Sequence, residues 1–465
     1  MLRRLLPLLL LLLAAPSASA RSAAAPIPAS GAFNATRSLP LPPPPRSALS
    51  SLSRLTSSRL LPLLSELLLS PATSAALSKI AAVLRTHPVA RNIHATASKH
   101  PPRVLLAALV ALSRLQALVP PAVPPDWRRR KPEPPPPELK GDILTFLPFA
   151  TAAYGWKSDL FSRFRLHLGD FAALLSKTGL SRPDIVHRAA SRTHRPAFVV
   201  ARDRRNGALV LAVRGTMSPQ DALTDLAADE SRFSLDPRSP DGELSLAAIF
   251  GGGGGRAHRG MVESAAAVAE IARPIVAAEL AANPDLRLVI TGHSLGAGCA
   301  AVLGATWRDT FPGLRVLCYG SPCIAPLNCA PTSCSFITTV VNEGDPFAAL
   351  SLGHLSDVFS AVAYFAEREE VRERVLRVSA EGGGGKEDRR FLEKTAKEVR
   401  ARMNAEKHYP PGVIYELKGG EGAGLWRVPA ETYKEMRVGR NSLDLGPHLP
   451  GTYEEVLEAW GGGSK

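Results

Sequence analysis

The most restrictive feature of the chain is the stretch Gly292-His293-Ser294-Leu295-Gly296. It directly follows an apolar run at 288–291 and precedes a small-residue run at 297–304. That order predicts a strand, a sharp turn and a helix with Ser294 at the apex, the arrangement of a nucleophile elbow. The turn strains the serine backbone, so the residues two positions either side must be small, and Gly292 and Gly296 meet that need. It also sets Ser294 at a helix N-terminus, where free backbone N–H groups can stabilise an oxyanion. The bland alternative is a glycine-rich turn carrying an ordinary serine.

Around this point, strand-like and helix-like segments alternate. Strands are expected at 197–201, 208–213, 287–291, 315–319, 336–341 and 413–417, and helices at 262–282, 295–307, 391–405 and 453–460. Alternation of this kind calls for a mainly parallel central sheet with helices on both faces. Two glycine runs, at 251–255 and 382–385, read as flexible insertions.

A serine that attacks an acyl carbon needs a base held by a carboxylate, in the chain order serine, acid, histidine. Downstream of Ser294 the histidines are His354, His408 and His448. His448 falls in a loop before the last helix, which suits a base reaching across the end of the sheet, whereas His408 is expected on a surface loop. Asp345 follows the strand at 336–341 and takes the acid position; Glu343 is the nearest rival and Asp357, in a helix-like stretch, a weaker one. For the oxyanion, Leu295 offers its backbone N–H. The turn after 208–213 offers Thr216, with a backbone N–H and a hydroxyl beside Gly215. The long segment 217–256 between that turn and the next helix reads as a lid with an apolar stretch at 244–250, or as an insertion without structure.

The rest of the chain bears on address and surroundings. Arg3 and Arg4 precede an apolar run at 5–15 and a small-residue stretch ending at Ala20, the anatomy of a signal peptide over 1–20. Residues 21–58 are rich in Ser, Ala, Arg and Pro, and the first acidic residue is Glu66, so a plastid transit segment or a plain linker is equally in view. The expected destination is the secretory pathway or the exterior, with a plastid reached by a two-part address as the alternative. A helical region follows at 59–119, with 104–119 as an interfacial or packed helix too short and polar to span a bilayer. A basic, Pro-rich linker at 120–138 leads to the main domain, 139–465. The 56 Lys and Arg against 42 Asp and Glu give +14, a balance that favours anionic lipid surfaces. Nucleic acid is disfavoured, because the basic residues are scattered and no nucleic-acid module is visible. Cys299 and Cys318 sit in apolar contexts; two of Cys323, Cys329 and Cys334 can pair in an oxidising compartment, and their spacing does not suit zinc.

These residues together resemble the class 3, or fungal-type, lipases, and within them the diacylglycerol lipase-like branch. The likeness rests on Tyr154-Gly155-Trp156, the stretch 213–218 with Asp221, Thr224 and Asp225, and His258-Arg259-Gly260-Met261. It continues through 292–298, 336–346, 409–412, and His448 with Pro450 and Tyr453. The resemblance implies an α/β-hydrolase fold with a lid-like insertion and a triad of Ser294, Asp345 and His448. It implies an oxyanion hole from Thr216 and Leu295, no metal or organic cofactor, and a glycerolipid substrate, diacylglycerol first and triacylglycerol as a further option, met at a membrane or lipid-droplet surface. A phospholipase A1 or galactolipase on the same triad is the alternative, as is a silent lipid-binding protein of this fold. Two departures stand out. Animal diacylglycerol lipases carry a multi-span membrane domain ahead of this region without a counterpart in the preface here, and the usual acidic residue before the catalytic histidine is replaced by Gly446-Pro447.

Overall fold

The computed structural model describes residues 99–121, 131–152, 170–192, 195–215, 259–325, 327, 335–419, 423–438 and 446–462. In chain order the elements are α1 (Pro102–Leu118), α2 (Pro137–Ala152), α3 (Asp170–Thr178), β1 (Ile185–Ala189), β2 (Phe198–Asp203) and β3 (Ala208–Val213). They continue with α4 (Arg259–Ala282), β4 (Arg287–His293), α5 (Leu295–Trp307), β5 (Arg315–Tyr319), β6 (Ile337–Asn342) and α6 (Leu352–Glu367). The last are α7 (Glu369–Ala380), α8 (Lys386–Arg402), β7 (Val413–Lys418), β8 (Gly424–Val428) and α9 (Pro450–Gly462).

The eight strands form one sheet in chain order. Strands β3 to β7 run parallel, and β1, β2 and β8 join antiparallel at the two edges. All six residues of β3 and of β6 are buried, as a sheet covered on both faces requires. Because the parallel strands advance in one direction, right-handed crossovers put their helices on one side. There Leu209, Leu211 and Val213 pack with Ile290, Val316, Val262 and Val268 of α4, and Ala301 and Trp307 of α5. The opposite face holds the alternate residues Val210, Ala212, Val289, Leu317 and Tyr319. Elements from before and after the sheet have to cover it, namely Ile143, Phe146 and Phe149 of α2, Leu174 of α3, and Tyr453 and Leu457 of α9. This is the α/β-hydrolase architecture expected from the sequence.

A third cluster lies beside the sheet, where Leu105, Leu109, Leu112 and Leu115 of α1 meet Val358, Val362, Phe365, Val375, Leu392 and Val399 of α6, α7 and α8. Residues 104–119, expected as an interfacial or packed helix, are packed. No described helix is long and apolar enough to cross a membrane. Two expectations are corrected. The glycines at 382–385 are not a loose insertion but a tight helix–helix turn, with Gly382, Gly383 and Gly384 all at positive φ, a run that side chains with a Cβ rarely adopt. His408 is buried rather than on a surface loop. The strands β1 and β8 and the helices α2, α3 and α7 were not anticipated, while the helix-like stretch around Asp357 is α6. The signal and transit segments, residues 122–130 of the linker, the lid segment 217–256, and Cys329 and Cys334 lie outside the described residues. Among the described residues, Cys299, Cys318 and Cys323 are buried and form no disulfide with one another.

Candidate active site

The elbow forms where β4 meets α5. Ser294 has φ 59° and ψ −130°, and among the described residues it alone carries a side chain at positive φ. Such a conformation costs energy and persists only where the surroundings impose it. Here the surroundings are backbone. A Cβ on Gly296 would stand 2.2 Å from the carbonyl oxygen of Val213, and one on Gly292 would stand 2.5 Å from the carbonyl of Gly296. The two glycines therefore let the end of β3, the end of β4 and the start of α5 touch. The Ser294 amide is tied to β5 by donating to the Tyr319 carbonyl at 2.9 Å.

Asp345 follows β6 and caps a short turn at Pro346–Ala349, accepting from the Phe347 amide at 2.9 Å. His448 closes the turn Gly446–His448 immediately before α9. These distant segments converge on one hydrogen-bonded line. His448 Nε2 is 2.8 Å from Ser294 Oγ, and His448 Nδ1 is 3.0 and 2.9 Å from the two Asp345 oxygens. All three side chains are buried. A carboxylate at Nδ1 fixes the proton there and leaves Nε2 as the acceptor for the serine proton.

Burial alone would raise the Asp345 pKa. The His448 charge and donations from His448, Tyr453 and Phe347 outweigh it, so the carboxyl is held below its ordinary value and stays ionised. His293, next to the serine, is pushed down to about 3, first by burial and then by His448. It is therefore neutral, and its Nε2–H donates to the His448 carbonyl at 2.8 Å.

The rival groups are occupied elsewhere. Glu343 is exposed, and its Oε2 accepts from the Gly419 amide. Asp357 is buried in α6 against Lys407. His354 lies between the Ser351 hydroxyl at 2.8 Å and the Tyr433 carbonyl at 2.8 Å. For the oxyanion, Leu295 opens α5, so its N–H belongs to the first turn, whose amides have no acceptor within the helix. Thr216 lies outside the described residues; the preceding Gly215 packs against Gly296, with its nitrogen 2.8 Å from where a Cβ on that glycine would be. Among the described residues, no group of three or more His, Cys, Asp and Glu side chains is arranged to hold a metal.

Several contacts at the site escaped the sequence reading. Phe347 stacks on the His448 ring at 3.9 Å between centroids. Gly320, at φ 57°, leaves room beside the triad, since a Cβ there would stand 3.1 Å from Asp345 Oδ2 and 3.2 Å from His448 Cε1. The Tyr453 hydroxyl donates to Asp345 Oδ2 at 2.7 Å. Tyr453 stood in the sequence only as part of a family likeness, and nothing in its neighbours announces a contact with a residue 108 positions earlier.

Fold and site together define an α/β-hydrolase with a serine, histidine and aspartate in line. The class 3 lipase family model matches residues 210–354, a stretch that runs from within β3 through the elbow to the acid and into α6. Diacylglycerol lipase-beta of Mus musculus is 28% identical over 241 residues, 46% of this chain and 34% of that protein. Diacylglycerol lipase-alpha of Homo sapiens is 31% identical over 166 residues, 34% of this chain and 15% of that protein. The matches thus span about a third or less of these relatives' length. The crystal structure of a lipase from Rhizopus microsporus var. chinensis aligns over 49% of this chain and 74% of that one, at 19% identity and a TM-score of 0.35.

Proposed function

We propose that the protein is a serine-dependent lipase that hydrolyses acyl esters of glycerolipids, diacylglycerol first and at an outer acyl position. The observation that carries this is the unbroken line from Ser294 Oγ through His448 to Asp345, on a serine held at positive φ by two glycines. The Ser294 oxygen attacks the ester carbonyl as its proton passes to His448 Nε2, while Asp345 stabilises the imidazolium that forms. The tetrahedral oxyanion is received by the Leu295 amide and by Thr216, each donor contributing about 3 kcal/mol. Collapse expels the glycerolipid alcohol, which takes the proton from His448. Water activated by the same histidine then releases the fatty acid from Ser294.

The similarity to diacylglycerol lipase-beta and diacylglycerol lipase-alpha, together with the likeness around 214–225 and 336–346, favours a diacyl substrate. The charge of +14 favours work at an anionic membrane or lipid-droplet surface, reached through the secretory pathway or by a two-part plastid address. Attraction to a surface and choice of head group are separate steps, so the charge bears on the first alone. The test compares kcat/KM for diacylglycerol, phospholipid and galactolipid with matched acyl chains in the same mixed micelles. Diacylglycerol should lead. A tenfold preference for another head group, about 1.4 kcal/mol in transition-state binding, overturns the substrate and leaves the serine chemistry standing.

A further inference from the structure

Tyr453 lies at the start of α9, fully buried, and touches neither the serine nor the base through its hydroxyl. That hydroxyl is 2.9 Å from the Asn342 amide and 2.7 Å from Asp345 Oδ2. The direction of both bonds is fixed by chemistry. A backbone N–H can only donate, so the phenol oxygen accepts from Asn342, and its own proton points at the carboxylate. Asp345 Oδ1 has the Phe347 amide and Asp345 Oδ2 has Tyr453, while the His448 ring bridges both oxygens.

We propose that Tyr453 is a positioning residue of the reaction, which aims Asp345 and tempers its charge, so that α9 carries into the site a fourth group beyond the serine, the base and the acid. The inference rests on the serine-hydrolase reading above. Two features fit a role in the reaction rather than in packing. Asn342 ends β6, so the phenol connects the strand that carries the acid to the helix that follows the base. The Asn342 side chain also donates to the Pro447 carbonyl at 3.1 Å, so strand, acid, phenol and base loop close into one ring of contacts. Burial, and then the charge of Asp345, hold the phenol well above its ordinary pKa, so it keeps the proton it donates throughout the working range.

Removing the donor leaves the carboxylate more basic, and through it the imidazole binds its proton more tightly. Tyr453→Phe keeps the ring and its edge contact with His293. It should lower kcat on a soluble short-chain ester by about tenfold to a hundredfold, the range expected for a hydrogen bond to a charged group. KM should stay within about twofold, and the acid limb of the kcat profile should move to higher pH. In an Asp345→Asn background the same substitution should cost nothing further, because its partner's charge is gone. A uniform loss at every pH with the limb in place, or full additivity in the double variant, assigns Tyr453 to packing and overturns the proposal. So does activity within twofold of the parent. Should Tyr453→Phe fail to fold, 3-fluorotyrosine placed at 453 makes the donor stronger; the limb must then move to lower pH, and an unmoved limb is equally fatal. Ser294→Ala, measured alongside, separates the two levels. If it retains activity, the serine reading fails; if it is inactive and Tyr453→Phe is not impaired, only the present proposal fails.

Discussion

The sheet-centred half of the molecule and the helical annex of α1, α6, α7 and α8 follow opposite rules. In the sheet half, whole strands are buried and the polar groups inside are hydrogen-bonded into the site, from His293 on the His448 carbonyl to Tyr453 on Asp345. In the annex, α7 and α8 are charged helices with a narrow apolar stripe, Val375 and Val378 on one and Leu392, Ala396 and Val399 on the other. Their charges are paired at the rim, where Arg374 reaches Glu387 and Asp388 and lies over the Phe391 ring at 4.3 Å. Such a stripe is incomplete alone, and α1 completes it. The side chain of Gln116 fastens α1 by donating to the Met436 carbonyl and accepting from the Val438 amide, and Arg400 donates to the Val119 carbonyl at 2.7 Å. One half is built to hold reacting atoms in place, and the other to keep the chain folded. Replacing the reacting hydroxyl of the first should therefore change rate without stability, and trimming the apolar stripe of the second stability without rate.

The largest effect belongs to the sheet half. Ser294→Ala should lower kcat by on the order of 10⁴-fold or more, since members of such a triad act as a unit. Its melting temperature should stay level or rise, because Ala removes a small hydroxyl and the strained turn is fixed by Gly292 and Gly296. Steady-state hydrolysis with active-site titration, beside calorimetry, reads both. A variant that loses rate only because it is unfolded erases the contrast.

The annex should give the mirror image. Leu112 lies on the buried face of α1, and Leu112→Ala removes its methyl groups from the cluster with α6, α7 and α8. The expected cost is about 2–5 kcal/mol of stability, with kcat per folded molecule unchanged. Denaturant titration measures the first and a titrated rate the second. If kcat falls as well, α1 is coupled to the catalytic machinery and the two halves are not separate.

The same contrast explains how much could be read in the sequence. The parallel strands betray themselves as continuous apolar runs, and β3, β5 and α5 fall where such runs and the small-residue stretch end. The elbow was legible because its constraint is local, with glycines two residues either side of a serine. Asp345 and His448 were legible only through chain order and loop position, since the contact between them joins residues 103 apart. The edge strand β1, with a half-exposed pattern, offers no such run, and β8 is a short strand entered through Gly424. In the annex, α7 and α8 read as charge rather than as core, because the apolar residues that give them purpose lie on α1, more than 200 positions earlier. Tyr453 is hidden for a different reason: a lone phenol early in a helix carries no signal of the carboxylate it will meet.

The smallest effect concerns acid and draws on one histidine from each side. His293 belongs to the elbow, and His354 opens α6, the first helix of the annex. Burial pushes His293 down to about 3 and His354 to about 4, from an unfolded value near 6.5. In the window between those values the unfolded chain binds a proton that the native chain refuses. Each histidine's contribution is thus whole above pH 6.5 and is lost as pH falls toward its folded value, at about 1.4 kcal/mol per unit. With both present the loss should be steep between pH 6.5 and 4, measurable as denaturant midpoints across that range. His354→Gln removes one proton from the balance and should flatten the slope by about 1.4 kcal/mol per unit, leaving kcat at pH 8 unchanged. His293→Gln should flatten it equally and lower kcat as well, because the His293 ring holds the His448 carbonyl. Equal losses of rate in the two variants would mean that the first turn of α6 reaches the triad. An unchanged slope in His354→Gln would mean that this histidine takes up its proton without unfolding the chain.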